Sequence, residues 1–160
     1  MTDFRSLLEA LGRSRVEFIV VGGLAAVAHG SARLTQDVDV VYARDRENLE
    51  RLVVALSGHE PYLRGAPRGL PFSWDRATLE RGLNFTLETS LGDIDLLGEI
   101  VGGGGFAELR PHTVELHVFG QVVLCLDLDT LIAVKRAAGR PKDLEALAEL
   151  ESLRDAPPQR

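Results

Sequence analysis

The chain has 160 residues, 45% of them hydrophobic and 26% charged, with a formal charge of −6, which describes one globular domain able to bury a core. The acid excess argues against a protein that coats nucleic acid over a wide surface, although Lys135, Arg136, Arg140 and Lys142 form one compact basic patch. The single cysteine, Cys125, excludes an internal disulfide, no signal-peptide pattern opens the sequence, and no apolar run nears the roughly 20 residues of a bilayer span; a cytoplasmic protein is expected.

Phe4, Leu7, Leu8 and Leu11 recur at helical spacing and predict a helix over residues 3–11, with Thr2 as its cap. Residues 17–21 are short, β-branched and apolar and end on Gly22-Gly23, which predicts a buried strand. A brief helix over 24–28, closed by Gly30, follows. Residues 37–42 read as a second strand and 46–56 as a helix with Leu49, Leu52, Val53 and Leu56 inward. Three prolines and three glycines make 58–71 an irregular loop, and Asp75 caps a short helix to about Arg81.

Segments 83–89 and 94–100 predict a hairpin around Ser90-Leu91-Gly92-Asp93, and 114–119 with 122–126 a second one turning at Gly120. Two helices close the chain, 128–138 and 141–153, the latter with Pro141 at its first position. Strands and helices mix without strict βαβ alternation, so the expected class is α/β or α+β with a mixed sheet. One domain is expected over 1–153, and a flexible tail holding Pro157 and Pro158 over 154–160.

The chemistry centres on two features. Residues i and i+2 of a strand share a face, so Asp37 and Asp39 project together while Val38 and Val40 enter the core. Paired carboxylates repel, and a cation between them relieves the repulsion; magnesium suits this, taking carboxylate oxygens together with substrate phosphates. Two such ions could activate an attacking oxygen and stabilise a leaving one. The second feature is Val20-Val21-Gly22-Gly23-Leu24, where a strand runs into a helix through two glycines that let the backbone approach a polyphosphate. Thirteen residues separate Gly23 from Asp37, enough for a short helix and a return to the neighbouring strand.

Val21-Gly22-Gly23-Leu24-Ala25 followed by Arg33-Leu34-Thr35-Gln36-Asp37-Val38-Asp39-Val40 resembles the signature of the DNA polymerase β-like nucleotidyltransferase superfamily, and within it the small bacterial AbiEii/MNT-type group associated with toxin–antitoxin pairs. Gly23 departs from the serine that many members carry. A second stretch, Lys135-Arg136-Ala137-Ala138-Gly139-Arg140-Pro141-Lys142-Asp143-Leu144, is similar to a run near the end of that group. The resemblance implies a minimal nucleotidyltransferase fold, with helices mainly on one face of a mixed sheet and two C-terminal helices. It implies transfer of an NMP from an NTP such as ATP to a hydroxyl acceptor, with magnesium on Asp37, Asp39 and a third acid.

That third acid is expected to be Asp95, as ligand or general base, because Ile94 and Leu96 turn to the core and leave it on the opposite face; Glu99 shares its parity and is the alternative. Asp93 is assigned to the turn. Gly22, Gly23, Arg33, Thr35, Lys135 and Arg140 are the expected nucleotide-binding positions, Lys135 because it follows Leu131 by four residues and can carry its ammonium along apolar surface. Arg136 and Lys142 read as solvated, and Asp143 as favouring the start of the last helix. Trp74 reads as a lid over the core and His29 as a helix end. The scattered histidines have no zinc-ligand spacing.

By the same resemblance the acceptor would be tRNA or a cognate toxin or antitoxin protein. The alternatives are a lincosamide- or aminoglycoside-type antibiotic adenylyltransferase, for which two short C-terminal helices offer little drug-binding room unless a homodimer supplies it, and an inactive nucleotide-binding member acting by protein contact.

Overall fold

A computed structural model describes residues 1–156. The chain runs α1 (Phe4–Arg13), β1 (Phe18–Val21), α2 (Gly22–Ala28), β2 (Asp37–Tyr42), α3 (Arg46–Ser57), β3 (Tyr62–Leu63), α4 (Arg76–Arg81), β4 (Asn84–Thr89), β5 (Gly92–Leu97), α5 (Phe106–Leu109), β6 (Thr113–Val118), β7 (Gln121–Leu126), α6 (Leu128–Ala138) and α7 (Pro141–Asp155). All seven strands form one mixed sheet in the order β3-β4-β5-β2-β1-β7-β6. β1 pairs antiparallel with β2 and parallel with β7, and β2 pairs parallel with β5. This is the expected α+β class with a mixed sheet and two C-terminal helices.

The central strands are central because of their composition. β1 is Phe-Ile-Val-Val and buried at every position, so it is covered on both faces. The alternation is confined to the acidic stretches of β2 and β5: Val38, Val40, Ile94 and Leu96 are wholly buried, while Asp37, Asp39, Asp93 and Asp95 lie half-buried on the other face, and β2 then turns fully buried at Val41 and Tyr42. Asn48, fully buried on α3, ties that helix to the strand entries by accepting from Glu17 N at 2.7 Å and donating to the Ala43 carbonyl at 2.7 Å. Among the described residues no helix is long and apolar enough to cross a membrane.

Several boundaries differ from expectation for local reasons. Asp3, not Thr2, caps α1, its carboxylate accepting from Ser6 N at 3.0 Å; the Thr2 hydroxyl instead donates to the Gln36 carbonyl at 2.5 Å. The expected loop over 58–71 contains β3, which extends the sheet by pairing with β4. α2 begins at Gly22 itself, so the glycines are its first turn and not a lead-in. The hairpin strand expected to start at Ile94 starts at Gly92 and ends at Leu97, which moves Asp93 from turn to strand. α6 stops at Gly139 in the left-handed region, φ 65°, where a side chain would be strained. α7 continues to Asp155, past the expected end at 153. Pro157 and Pro158, expected in the tail, lie outside the described residues.

Candidate active site

The parallel register of β2 and β5 sets Asp37 opposite Asp93 and Asp39 opposite Asp95, so two Asp-x-Asp segments lie side by side on one face. Like charges placed directly opposite destabilise a sheet, and here four carboxylates share a patch. A carboxylate oxygen from each of Asp37, Asp39 and Asp95 lies within 4.8 Å of the others. Asp39 Oδ1 and Asp95 Oδ1 are buried and have no hydrogen-bond partner. Burial first, then the nearby carboxylate of Asp95 and the charge of Asp37, push the Asp39 carboxyl up to about 7 against the opposing pull of Lys135.

The glycines explain how Asp39 reaches this position. Gly22 has φ +64°, and a Cβ there would lie 2.1 Å from Asp39 Oδ2, so the carboxylate occupies space that only glycine leaves open. A Cβ on Gly23 would lie 2.7 Å from the Thr35 hydroxyl, which therefore fills the space a side chain at position 23 would take. That hydroxyl also donates to the Asp37 carbonyl at 3.2 Å. The two expected motifs are thus in direct contact: the glycine pair is the floor on which Asp39 and Thr35 rest.

One cation enters the acid row. Arg64, just after β3, places Nη2 2.9 Å from Asp95 Oδ1, Nε 3.4 Å from Asp93 Oδ2 and Nη1 3.7 Å from Asp37 Oδ2. Its aligned hydrogen bond goes elsewhere, from Nη2 to the Leu87 carbonyl at 2.7 Å. Arg64 Nε and Asp95 Oδ1 both remain without an aligned hydrogen bond, so these contacts are charge–charge proximity.

The second cationic group is built differently. Asp143, at the third position of α7, is fully buried and accepts from Lys135 Nζ at 3.3 Å, Arg140 Nε at 2.6 Å, Arg140 Nη2 at 3.2 Å and the Arg140 backbone N at 3.2 Å. Burial pushes this carboxyl up, but the Arg140 hydrogen bonds and the Lys135 charge outweigh it and hold the group below its ordinary value. The Lys135 charge pulls weakly on the Asp39 carboxyl, and the Asp39 charge on Arg140, so the clamp is within electrostatic reach of the acid row.

The remaining predicted residues separate. Arg33 does not point into the acid row: Nη2 donates to the Glu145 carbonyl at 3.1 Å and Nε lies 3.8 Å from Glu149, both on α7. Glu99 is exposed, beyond the end of β5 and outside the carboxylate cluster, so the alternative third acid is set aside in favour of Asp95. Trp74 packs on the core and donates to the Val53 carbonyl at 3.0 Å; His29 ends α2 with Nε2 2.8 Å from the Leu126 carbonyl. Arg136 pairs with Glu151 at the surface, and Lys142 is exposed.

Three residues that the fold places in or beside these clusters are not among the sequence-based site positions. Asp93 carried a signal, since it shares the parity of Asp95 and repeats the Asp-x-Asp pattern. Asp143 carried one too: with Leu147 and Leu150 at i+4 and i+7 it lies on the buried stripe of α7. Arg64 carried none, because only the pairing of β3 with β4 delivers it.

The donor set fits magnesium. Three carboxylates bring oxygens within 4.8 Å of one another, a group small enough to converge on one ion, and the two orphaned buried oxygens lack the partners an ion would supply. A cavity of about 1130 Å³ opens beside Thr35 and Asp93 and runs between α1 and the β4–β5 turn, past Phe4, Glu60, Glu88 and Ser90.

No protein-family model matches the sequence, and no curated protein matches it. Solved structures do match in fold. A protein of Thermotoga maritima, described only as a candidate nucleotidyltransferase, superposes with TM-score 0.57 at 15% identity over 92% of this chain and 89% of its own. The lincosamide antibiotic adenylyltransferase LnuA, solved with lincomycin bound, gives TM-score 0.61 at 14% identity over 95% of this chain and 98% of its own. The antibiotic-resistance factor ANT(2'')-Ia gives 0.54 at 17% identity over 94% and 81%. The chain therefore has the nucleotidyltransferase fold.

Proposed function

We propose that this protein is a magnesium-dependent nucleotidyltransferase that moves an NMP from an NTP to a hydroxyl acceptor and releases pyrophosphate. The observation that carries the reading is the convergence of Asp37, Asp39 and Asp95, with two orphaned buried oxygens, on the Gly22-Gly23 floor. Magnesium bound there would draw charge from the transferring phosphate. Asp37 and Asp39 would hold it, and Asp95 would hold it or take the proton of the acceptor hydroxyl. Lys135 and Arg140, fixed by Asp143, lie against the triphosphate, while Gly22, Gly23 and Thr35 shape the wall beside it. Arg33 contributes from outside by tying its segment to α7.

For the acceptor, the AbiEii/MNT-like motifs support tRNA or a partner protein in a toxin–antitoxin pair, within the cytoplasm. A second reading, a small hydroxylated acceptor such as an antibiotic, is favoured by a specific pair of observations. LnuA, solved with lincomycin bound, is spanned almost end to end by this chain, which supports a chain of this length taking such an acceptor, and the cavity adjoins the acid row at Asp93.

The test incubates the protein with each labelled NTP and magnesium, in parallel with total tRNA, cell lysate, a lincosamide and an aminoglycoside. Label transfer is expected in one arm and to fall to background in Asp39→Asn. Transfer in none, together with no metal-dependent NTP binding, would overturn the reading.

A further inference from the structure

Among the described residues Arg64 is the one cation in contact with the acid row, and the proposed reaction does not use it. A guanidinium meant as a permanent partner for carboxylate docks with paired, aligned hydrogen bonds. The same molecule shows this at Arg140 and Asp143, with contacts of 2.6 and 3.2 Å. Arg64 instead spreads over three carboxylates at 2.9, 3.4 and 3.7 Å and aligns with none of them. What fixes it is backbone: its own N–H donates to the Thr86 carbonyl at 3.0 Å, and Nη2 donates to the Leu87 carbonyl. It touches two of the three proposed metal ligands, Asp37 and Asp95, and leaves Asp39 Oδ1 unpartnered.

We infer that Arg64 is an exchangeable counter-ion: it holds the carboxylates of Asp37, Asp93 and Asp95 together in the metal-free protein, and a divalent ion displaces it from Asp37 and Asp95 on binding. The inference rests on the metal reading of Asp37, Asp39 and Asp95. Its physical basis is competition. A positive guanidinium and a divalent ion cannot share the same oxygens without repelling, and the guanidinium forfeits no aligned carboxylate bond by leaving. Withdrawal gives up the Nη2 contact with Asp95, while the backbone bond from Arg64 N to the Thr86 carbonyl holds the residue in place, and it frees Asp95 for its role toward the acceptor. Arg64 is thus a positioning residue, setting the metal concentration at which the site fills.

The test reads metal and arginine, not transfer. Manganese binding is measured by electron paramagnetic resonance on wild type, Arg64→Met, Arg64→Lys and Asp39→Asn. Arg64→Met is expected to bind manganese about tenfold more tightly than wild type, Arg64→Lys to stay near wild type, and Asp39→Asn to lose binding. In chelator Arg64→Met melts below wild type, and saturating manganese closes that gap. In the wild type, modification of Arg64 by phenylglyoxal, read by mass spectrometry, increases when manganese is bound; this arm needs no variant to fold. Manganese affinity in Arg64→Met equal to or weaker than wild type, or Arg64 reactivity unmoved by bound manganese, overturns the exchange alone. Absence of manganese binding in both wild type and Arg64→Met overturns the metal reading beneath it. Wild type that binds manganese yet transfers no nucleotide leaves the exchange standing and removes the activity.

Discussion

Two clusters of charge lie close together in this protein, and they are built on opposite terms. At the start of α7, one carboxylate, Asp143, is wholly buried and surrounded by donors: Lys135, the Arg140 side chain and the Arg140 backbone. On β2 and β5, four half-buried carboxylates face one arginine that bonds none of them well, and two of their oxygens have no partner. The first arrangement is complete without any ligand, as a buried charge must be if it is structural. The second is incomplete, and buried polar groups left without partners in a fold call for a reason, of which a bound ion is the one proposed above. Saturation of hydrogen bonds therefore separates the anchor from the site more sharply than charge or burial does.

The largest effect is expected from breaking the complete cluster. Asp143→Ala removes the acceptor that holds two cations and should lower stability by about 3 kcal/mol, read as a shifted urea midpoint at unchanged slope. NTP binding should weaken alongside, since Lys135 and Arg140 lose their common anchor. A variant as stable as wild type would mean that the clamp is not the anchor. Gly22→Ala comes next, at about 2 kcal/mol: the residue sits at φ +64°, and its new Cβ would displace Asp39. Gly58→Ala, at an ordinary φ of −83° with nothing near its Cβ, serves as the control and should stay within about 0.5 kcal/mol.

Breaking the incomplete cluster should have the opposite sign. Asp39→Asn removes one of the mutually repelling carboxylates, so in chelator at pH 8 it should raise stability by about 1 kcal/mol while abolishing transfer. The Asp39 carboxyl is raised from 3.8 to about 7, so the folded protein binds that proton more tightly than the unfolded chain. Wild-type stability from this group accordingly falls as pH climbs from about 4 to about 7, and the gain in Asp39→Asn should shrink at pH 5. Melting curves at the two pH values check both the sign and the window. Loss of stability in Asp39→Asn at pH 8 would show that the acid row is held as firmly as the clamp. The smallest effect belongs to Arg136→Ala, whose exposed pair with Glu151 should contribute under about 0.5 kcal/mol.

Much of this was readable from the residues in order. The alternation of Asp37-Val38-Asp39-Val40 and of Asp93-Ile94-Asp95-Leu96 names both the strands and the faces their carboxylates take, because a strand has a period of two. Asp93 was assigned to a turn because the glycine before it resembles a loop signal, whereas Gly92 opens the strand at φ +120°. Asp143 was read as a helix-start charge, and the capping contact with Arg140 N is there, but its place on the buried face of α7 makes it the anchor of the clamp. Arg33 belonged to the motif by position and was expected at the nucleotide; α7 draws its guanidinium away.

The sequence by itself determined most of the local elements, β3 excepted, together with the paired carboxylates and the glycine pair beneath them, because strand parity, helical period and backbone freedom are properties of neighbouring residues. It determined as well that a basic stretch follows near the end. Only the tertiary structure decided that β2 and β5 run parallel in the register that doubles the acid row, and that Thr35 fills the space above Gly23. The tertiary structure alone also sent Arg64 into the row and Arg33 out of it, since both depend on which distant backbone each side chain meets. Neighbours in sequence set which groups are present; neighbours in space set which of them remain unsatisfied, and the unsatisfied oxygens of Asp39 and Asp95 are where we propose that a metal ion binds.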